Sequence, residues 1–358
     1  MSIKSSRHGG DVFGLSEEEQ DKVFDFSINI NPLGLSPKGR DALMAHWEKE
    51  TLRYPDVECR ALKKSLSIRY GISEESMALG NGATELMYKL VELLHPKKVI
   101  VPAPSFSEYR LSAEAAGCPV DSFLLKADRG FALPLEEIEK KLLPHSLIYL
   151  GHPNNPDGQL LSPSDFEAVL HLAKKKESFL IIDESFIDFV GDDVSYRRVL
   201  VNETCGAVVM SLTKFYAVPG LRIGAAFLHP ALAERLRDTL IPWNVNGLAQ
   251  SYMTAAAQDL DYIKDSRVYC QTEREKLSAA LEALDFIKVL PCSVNFILCQ
   301  LIGKFETAGK LQKALMPYHI FIRQCGNYEG LGETYFRVAV RTEEENQILI
   351  KALGAVEN

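Results

Sequence analysis

The chain has 358 residues, 46% hydrophobic and 25% charged, an ordinary globular balance and too long for a single small module at roughly 150 residues per domain. Forty Lys and Arg against 48 Asp and Glu leave a net charge of −8, which offers no basic face to a nucleic-acid backbone. The apolar runs are strand-sized, far below the ~18 residues of a membrane-spanning helix, so neither nucleic acid nor membrane is expected as a partner. The first 25 residues hold no apolar stretch of signal-peptide length. Seven cysteines, odd in number and without a CxxC pair, suit reduced thiols in a cytoplasmic setting better than disulfides or a zinc site.

Taken in chain order, Thr84 to His95 repeats Leu86, Met87, Leu90, Val91 and Leu94 at helical spacing, which predicts an amphipathic helix. Short β-branched runs then alternate with helical patterns: VIVPAP (99–104), SLIYLG (146–151), FLIIDE (179–184), GAVVMS (206–211) and GAAFLH (224–229). This βαβα rhythm predicts an α/β fold, with a mostly parallel sheet covered by helices. Residues 260–285 read as one long charged helix. After it, strands at 296–300, 321–324 and 335–341 bracket helical segments, which predicts a small α+β domain beginning near 260 to 270. No pair of histidines has metal-ligand spacing, so no metal is expected.

The stretch Ser211-Leu-Thr213-Lys214-Phe-Tyr-Ala-Val-Pro-Gly-Leu-Arg222-Ile-Gly224 carries the most chemistry. It follows a predicted strand and surrounds a lysine with hydroxyls, glycines and an arginine, the arrangement needed to hold a phosphorylated aldehyde on a lysine amine. A neighbouring cation favours the neutral, nucleophilic form of that amine. Ala83 and Thr84 open the amphipathic helix, whose free backbone N–H groups and dipole suit a phosphate. Asp183 ends a strand at the carboxyl edge, where α/β sheets place ligands. Asn155, in PNNPDG (153–158), follows another strand and faces the same edge.

These motifs resemble those of the fold type I pyridoxal-phosphate enzymes, the aspartate aminotransferase superfamily, over essentially the whole chain. Within it the sequence looks like the branch shared by histidinol-phosphate aminotransferase and the threonine-phosphate decarboxylase of cobalamin synthesis. The resemblance implies pyridoxal 5′-phosphate as cofactor, with Lys214 as the lysine that carries it and Asp183 paired with the pyridine nitrogen. It puts Ala83, Thr84, Ser211 and Arg222 on the cofactor phosphate, with Thr213 among the cofactor contacts. Asn155 would face the 3′-oxygen and Phe106 would cover the ring. Tyr54, in LRYPD, matches the tyrosine that reaches the phosphate of a neighbouring subunit and so implies a homodimer. The implied domains are a large cofactor-binding one over 33–264 and a small one built from 1–32 and 265–358.

One departure chooses between the two relatives. Where the aminotransferases usually read DEAY, this chain reads DESF, and Phe186 cannot bond the 3′-oxygen. DESFIDF, His8-Gly9-Gly10, DFSININPLG (25–34) and PWNVN (242–246) resemble the decarboxylase pattern. A pyridoxal enzyme breaks whichever Cα bond stands perpendicular to the ring, so an aminotransferase clamps the carboxylate in plane, whereas a decarboxylase must hold its substrate by another group. A phosphate suits that purpose, because arginine pairs with it bidentately and a remote anchor orients the reacting bonds. By analogy, Arg323 and Arg337 would hold the substrate phosphate, with His8, Gly9, Asn29 and Asn155 closing over a small phosphorylated amino acid. The expected reaction is decarboxylation of L-threonine O-3-phosphate to (R)-1-aminopropan-2-ol O-2-phosphate. The alternatives are a histidinol-phosphate aminotransferase, against which Phe186 counts, and a pyridoxal-binding regulator without catalysis.

Overall fold

The structure, a computed structural model, describes residues 9–10 and 12–357. After a two-residue strand β1 (Phe24–Asp25), seven strands form the main sheet: β2 (Met77–Gly80), β3 (Val99–Ala103), β4 (Val120–Leu124), β5 (Leu147–Gly151), β6 (Phe179–Asp183), β7 (Gly206–Ser211) and β8 (Gly224–Leu228). Their order is β2-β8-β7-β6-β5-β3-β4. All run parallel except β8, which is antiparallel to both of its neighbours. Strands β6, β7 and β8 are buried at every position, as expected of strands covered on both faces.

Alternation along each strand sorts side chains between two cores. Ile148, Ile182 and Val208 enter one; Leu147, Tyr149, Ile181 and Val209 enter the other. The helix Ala83–Leu94 lays Leu86, Met87, Leu90 and Val91 into the second, so the sequence periodicity is realised within one residue of its predicted start.

The remaining strands, β9 (Ile287–Val289), β10 (Phe296–Leu301), β11 (Ile320–Phe321), β12 (Arg323–Gln324) and β13 (Tyr335–Ala339), belong to a second lobe. Four make an antiparallel sheet of order β12-β13-β10-β9, and β11 pairs in parallel with β1. The N-terminal segment is thereby joined to the C-terminal lobe, and Phe26 enters that lobe's core. The helix Leu260–Glu282 links the two halves: Tyr262, Ile263 and Cys270 pack in the main core, Leu277 and Leu281 in the C-terminal one. The domain boundary expected between residues 264 and 265 falls inside this helix. Among the described residues no helix is long and apolar enough to cross a membrane.

Candidate active site

Strand register gathers the motif residues at one sheet edge. Gly80, Gly224 and Ser211 lie side by side across β2, β8 and β7, and Asp183 pairs with Val209 and Gly151. The parallel strands end here, so Asn81 to Thr84, Ser211 to Lys214, Asp183 and the 153–158 turn all emerge on the same side. The reversed direction of β8 brings Arg222, just ahead of its first residue, to this edge too.

A cavity of about 560 Å³ opens above that edge. Lys214, Phe186, Asn155 and Phe106 line it from the main sheet, Gly9 and Asn29 from the N-terminal segment, and Arg323 and Arg337 from the C-terminal lobe. Ala83, Thr84, Asp183, Ser211, Thr213 and Arg222 lie outside this lining. His8 lies outside the described residues.

The Lys214 amine points past Phe186, with Nζ 5.8 Å from the ring centre. Its removal from water pulls its pKa down to about 8; Asp183 opposes the shift and Arg222 adds to it. Asp183 is buried and accepts from the backbone N–H of Ser185 at 2.9 Å and from the Tyr109 hydroxyl at 2.7 Å. The hydroxyls of Ser211 and Thr213 stand 2.8 Å apart.

The helix Ala83–Leu94 starts at Gly82, which has φ +87° and no capping side chain, so its first N–H groups are left for a ligand. A Cβ at Gly82 would come within 2.4 Å of an Arg222 nitrogen. The guanidinium therefore lies directly against the helix start, where it can share an anion with those N–H groups.

Across the cavity, Arg323 and Arg337 are directly opposed in the β12–β13 register, and both are buried. Arg337 donates to Asn155 Oδ1 and to Ser27 O. The Asn29 amide oxygen, in the orientation its neighbours require, accepts from Arg337 at 3.2 and 3.3 Å. Arg323 donates to Asn327 at 3.0 Å and stacks over Tyr328 at 5.0 Å. Burial draws the pKa of Arg337 down, and among the described residues no carboxylate pairs with it. Like charges opposed in a strand pair are unfavourable, and a buried cation such as Arg337, held by the neutral oxygens of Asn155, Ser27 and Asn29, suits a wall that meets an anion. Tyr54 stands apart, 80% exposed, with its ring 4.7 Å from Trp243.

The sequence matches the class I and II aminotransferases over residues 21–353. The chain belongs to that family. It is 32% identical to the threonine-phosphate decarboxylase of Salmonella typhimurium over 365 aligned residues, covering 99% of this chain and 98% of that protein. It is 33% identical to the adenosylcobalamin biosynthesis bifunctional protein of Leptospira interrogans, but spans only 41% of that longer protein. Among solved structures, the histidinol-phosphate aminotransferase of Clostridium acetobutylicum superposes with a TM-score of 0.85 at 31% identity, over 93% of this chain and 98% of the other. The fold is that of the fold type I enzymes, and the family's cofactor is pyridoxal 5′-phosphate.

This site fits such a group. It offers a lysine amine of lowered basicity beside the cavity, an uncapped helix start crossed by a guanidinium, and a buried carboxylate held by two donors. Tyr109, Tyr328 and Ser27 escaped the sequence reading. Tyr109 lies in a mixed-polarity helical stretch, and its partner Asp183 is 74 positions away, a pairing that no local pattern announces.

Proposed function

We propose that this family member decarboxylates L-threonine O-3-phosphate to (R)-1-aminopropan-2-ol O-2-phosphate, in cobalamin biosynthesis. The observation that carries the reading is the pair of buried arginines, Arg323 and Arg337, directly opposed on the cavity wall that faces Lys214. Two guanidiniums on one wall suit a dianionic phosphate, and anchoring there leaves the carboxylate of a short substrate unclamped. The bound cofactor supplies an aldehyde for the substrate amine and a ring that accepts the electron pair of the Cα bond perpendicular to it.

This chain's residues set which bond that is. Lys214 would hold the cofactor, yield to the substrate amine, and then return a proton from Nζ to Cα. Asp183 would keep the ring nitrogen protonated, and Phe106 would cover the ring. Ala83, Thr84, Ser211, Thr213 and Arg222 would hold the cofactor phosphate. Asn155 links the two halves of the site, since its amide oxygen accepts from Arg337. Phe186 brings no hydroxyl to the cavity wall and packs edge-on against Phe296 at 5.1 Å. Tyr54, exposed and outside the cavity of its own chain, would complete the phosphate site of a second copy.

Purified holoenzyme given phosphothreonine should release CO2 in proportion to substrate consumed. Release of none, together with conversion of the cofactor to its amine form by glutamate alone, would instead support histidinol-phosphate aminotransferase activity, the reading favoured by the likeness to the Clostridium acetobutylicum structure.

A further inference from the structure

The carboxylate of Asp183 is gripped from behind by a residue that does not line the cavity. Tyr109, in the first turn of the helix Glu108–Ala115, is 1% exposed and donates its hydroxyl to Asp183 Oδ2 at 2.7 Å. The second oxygen, Oδ1, accepts from the Ser185 N–H at 2.9 Å. One donor on each oxygen pins the torsion of the carboxylate.

The Tyr109 ring is itself fixed on two sides. It lies flat on Tyr149, with centroids 4.8 Å apart and planes 3° apart, and edge-on to Phe106 at 5.9 Å and 85°. One side chain thus touches both the carboxylate that would meet the ring nitrogen and the aromatic ring that would cover the cofactor.

We infer that Tyr109 is a positioning residue for the cofactor, holding the Asp183 carboxylate in a single orientation and bracing Phe106. Were Asp183 to lose this donor, its carboxylate would be free to turn out of line with the ring nitrogen, and the ring would accept electrons less well. The inference rests on the reading of Asp183 as the partner of that nitrogen and is independent of which Cα bond is broken. Tyr149 provides an internal control: it has the same ring in the same stack, but its hydroxyl goes to Met87 O and Ser112 Oγ, each at 3.3 Å.

The test compares Tyr109→Phe, Tyr149→Phe, Asp183→Asn and the Tyr109→Phe/Asp183→Asn double variant as purified holoenzymes. It reads the equilibrium dissociation of pyridoxal 5′-phosphate, the visible absorbance of the bound cofactor against pH, and kcat and KM. Tyr109→Phe should weaken cofactor binding by about tenfold, the scale of one hydrogen bond to a charged group. It should also shift the pH midpoint of the absorbance and lower kcat with substrate KM unchanged. Tyr149→Phe should match the wild type, and Tyr109→Phe should add nothing in the Asp183→Asn background. A Tyr109→Phe protein that only melts earlier, with affinity and spectrum intact, would overturn the inference, as would additive losses in the double variant. An Asp183→Asn protein with wild-type affinity and spectrum would overturn the reading of Asp183, and the inference with it.

Discussion

The amine of Lys214 shows what burial does to a single group. Burial lowers its pKa to about 8 and Arg222 contributes in the same direction, so half of the amine is neutral near pH 8, where an ordinary lysine is almost wholly charged. Only the neutral amine attacks an aldehyde. Apoprotein mixed with pyridoxal, which lacks the phosphate and so leaves the anion cradle out of the reaction, should combine at a rate that rises with pH and levels off with a midpoint near 8. Stopped-flow absorbance reads that rate, and a midpoint near 10.5 would contradict the electrostatics described above. Lys214, Asp183, Asn155 and Arg222 were legible in the sequence because each sits at a strand end within a motif. Tyr109 was not, because the hydrogen bond that defines it exists only after two distant segments have packed.

Among the elements, legibility followed side-chain chemistry. Strands β5 to β8 were read to within a residue or so because their apolar runs are continuous. Strand β2, Met-Ala-Leu-Gly, has no β-branched residue to mark it, and β4, at the sheet edge, carries the partly buried Asp121 and Ser122. The 153–158 turn carried a residue that sequence reasoning left without an account, Asp157. It is fully buried, accepts from Asn154 Nδ2 at 2.5 Å and from the Gln159 N–H at 2.9 Å, and through Asn154 ties the turn to Pro104 O at 3.1 Å. The turn that holds Asn155 is thereby fastened to the loop that holds Phe106.

Burial raises the Asp157 pKa from 3.8 to about 6, against the pull of both hydrogen bonds. The folded state thus holds this proton more tightly than the unfolded chain does. Its contribution to stability is greatest below pH 4, falls as pH rises toward 6, and then stays constant, with a range on the order of 3 kcal/mol at most. In Asp157→Asn that dependence should vanish. Urea unfolding of the two apoproteins should therefore show the variant gaining relative to wild type between pH 4.5 and pH 7. A pH-independent difference would locate the proton elsewhere.

At the scale of the molecule, the cavity lies between two sheets, and its walls come from three stretches of chain. The exposed Tyr54 and Trp243 lie outside it, on the surface where a second copy is proposed to sit. If Tyr54 completes a neighbour's site, two inactive variants should rescue each other. Tyr54→Ala mixed with Lys214→Ala, unfolded and refolded together, should recover a fraction of wild-type turnover that neither variant has alone. No recovery, from a mixture demonstrated to contain mixed dimers, would place Tyr54 in its own chain's chemistry.

The pairing of Phe24 with Ile320 joins points separated by most of the chain, and it sets an order of events during synthesis. The main sheet has all its strands once Leu228 has left the ribosome, so the edge bearing Lys214, Asp183 and Arg222 can form early. Strand β1 and Phe26 then wait for some ninety further residues to close that long loop, and the wall of Arg323 and Arg337 follows, since both of its strands lie beyond Ile320. A nascent chain therefore completes the edge bearing Lys214 well before it has the arginine wall that faces it. In that interval an unpaired strand and an apolar side chain at its N-terminal end stand open to a chaperone, or to a wrong partner.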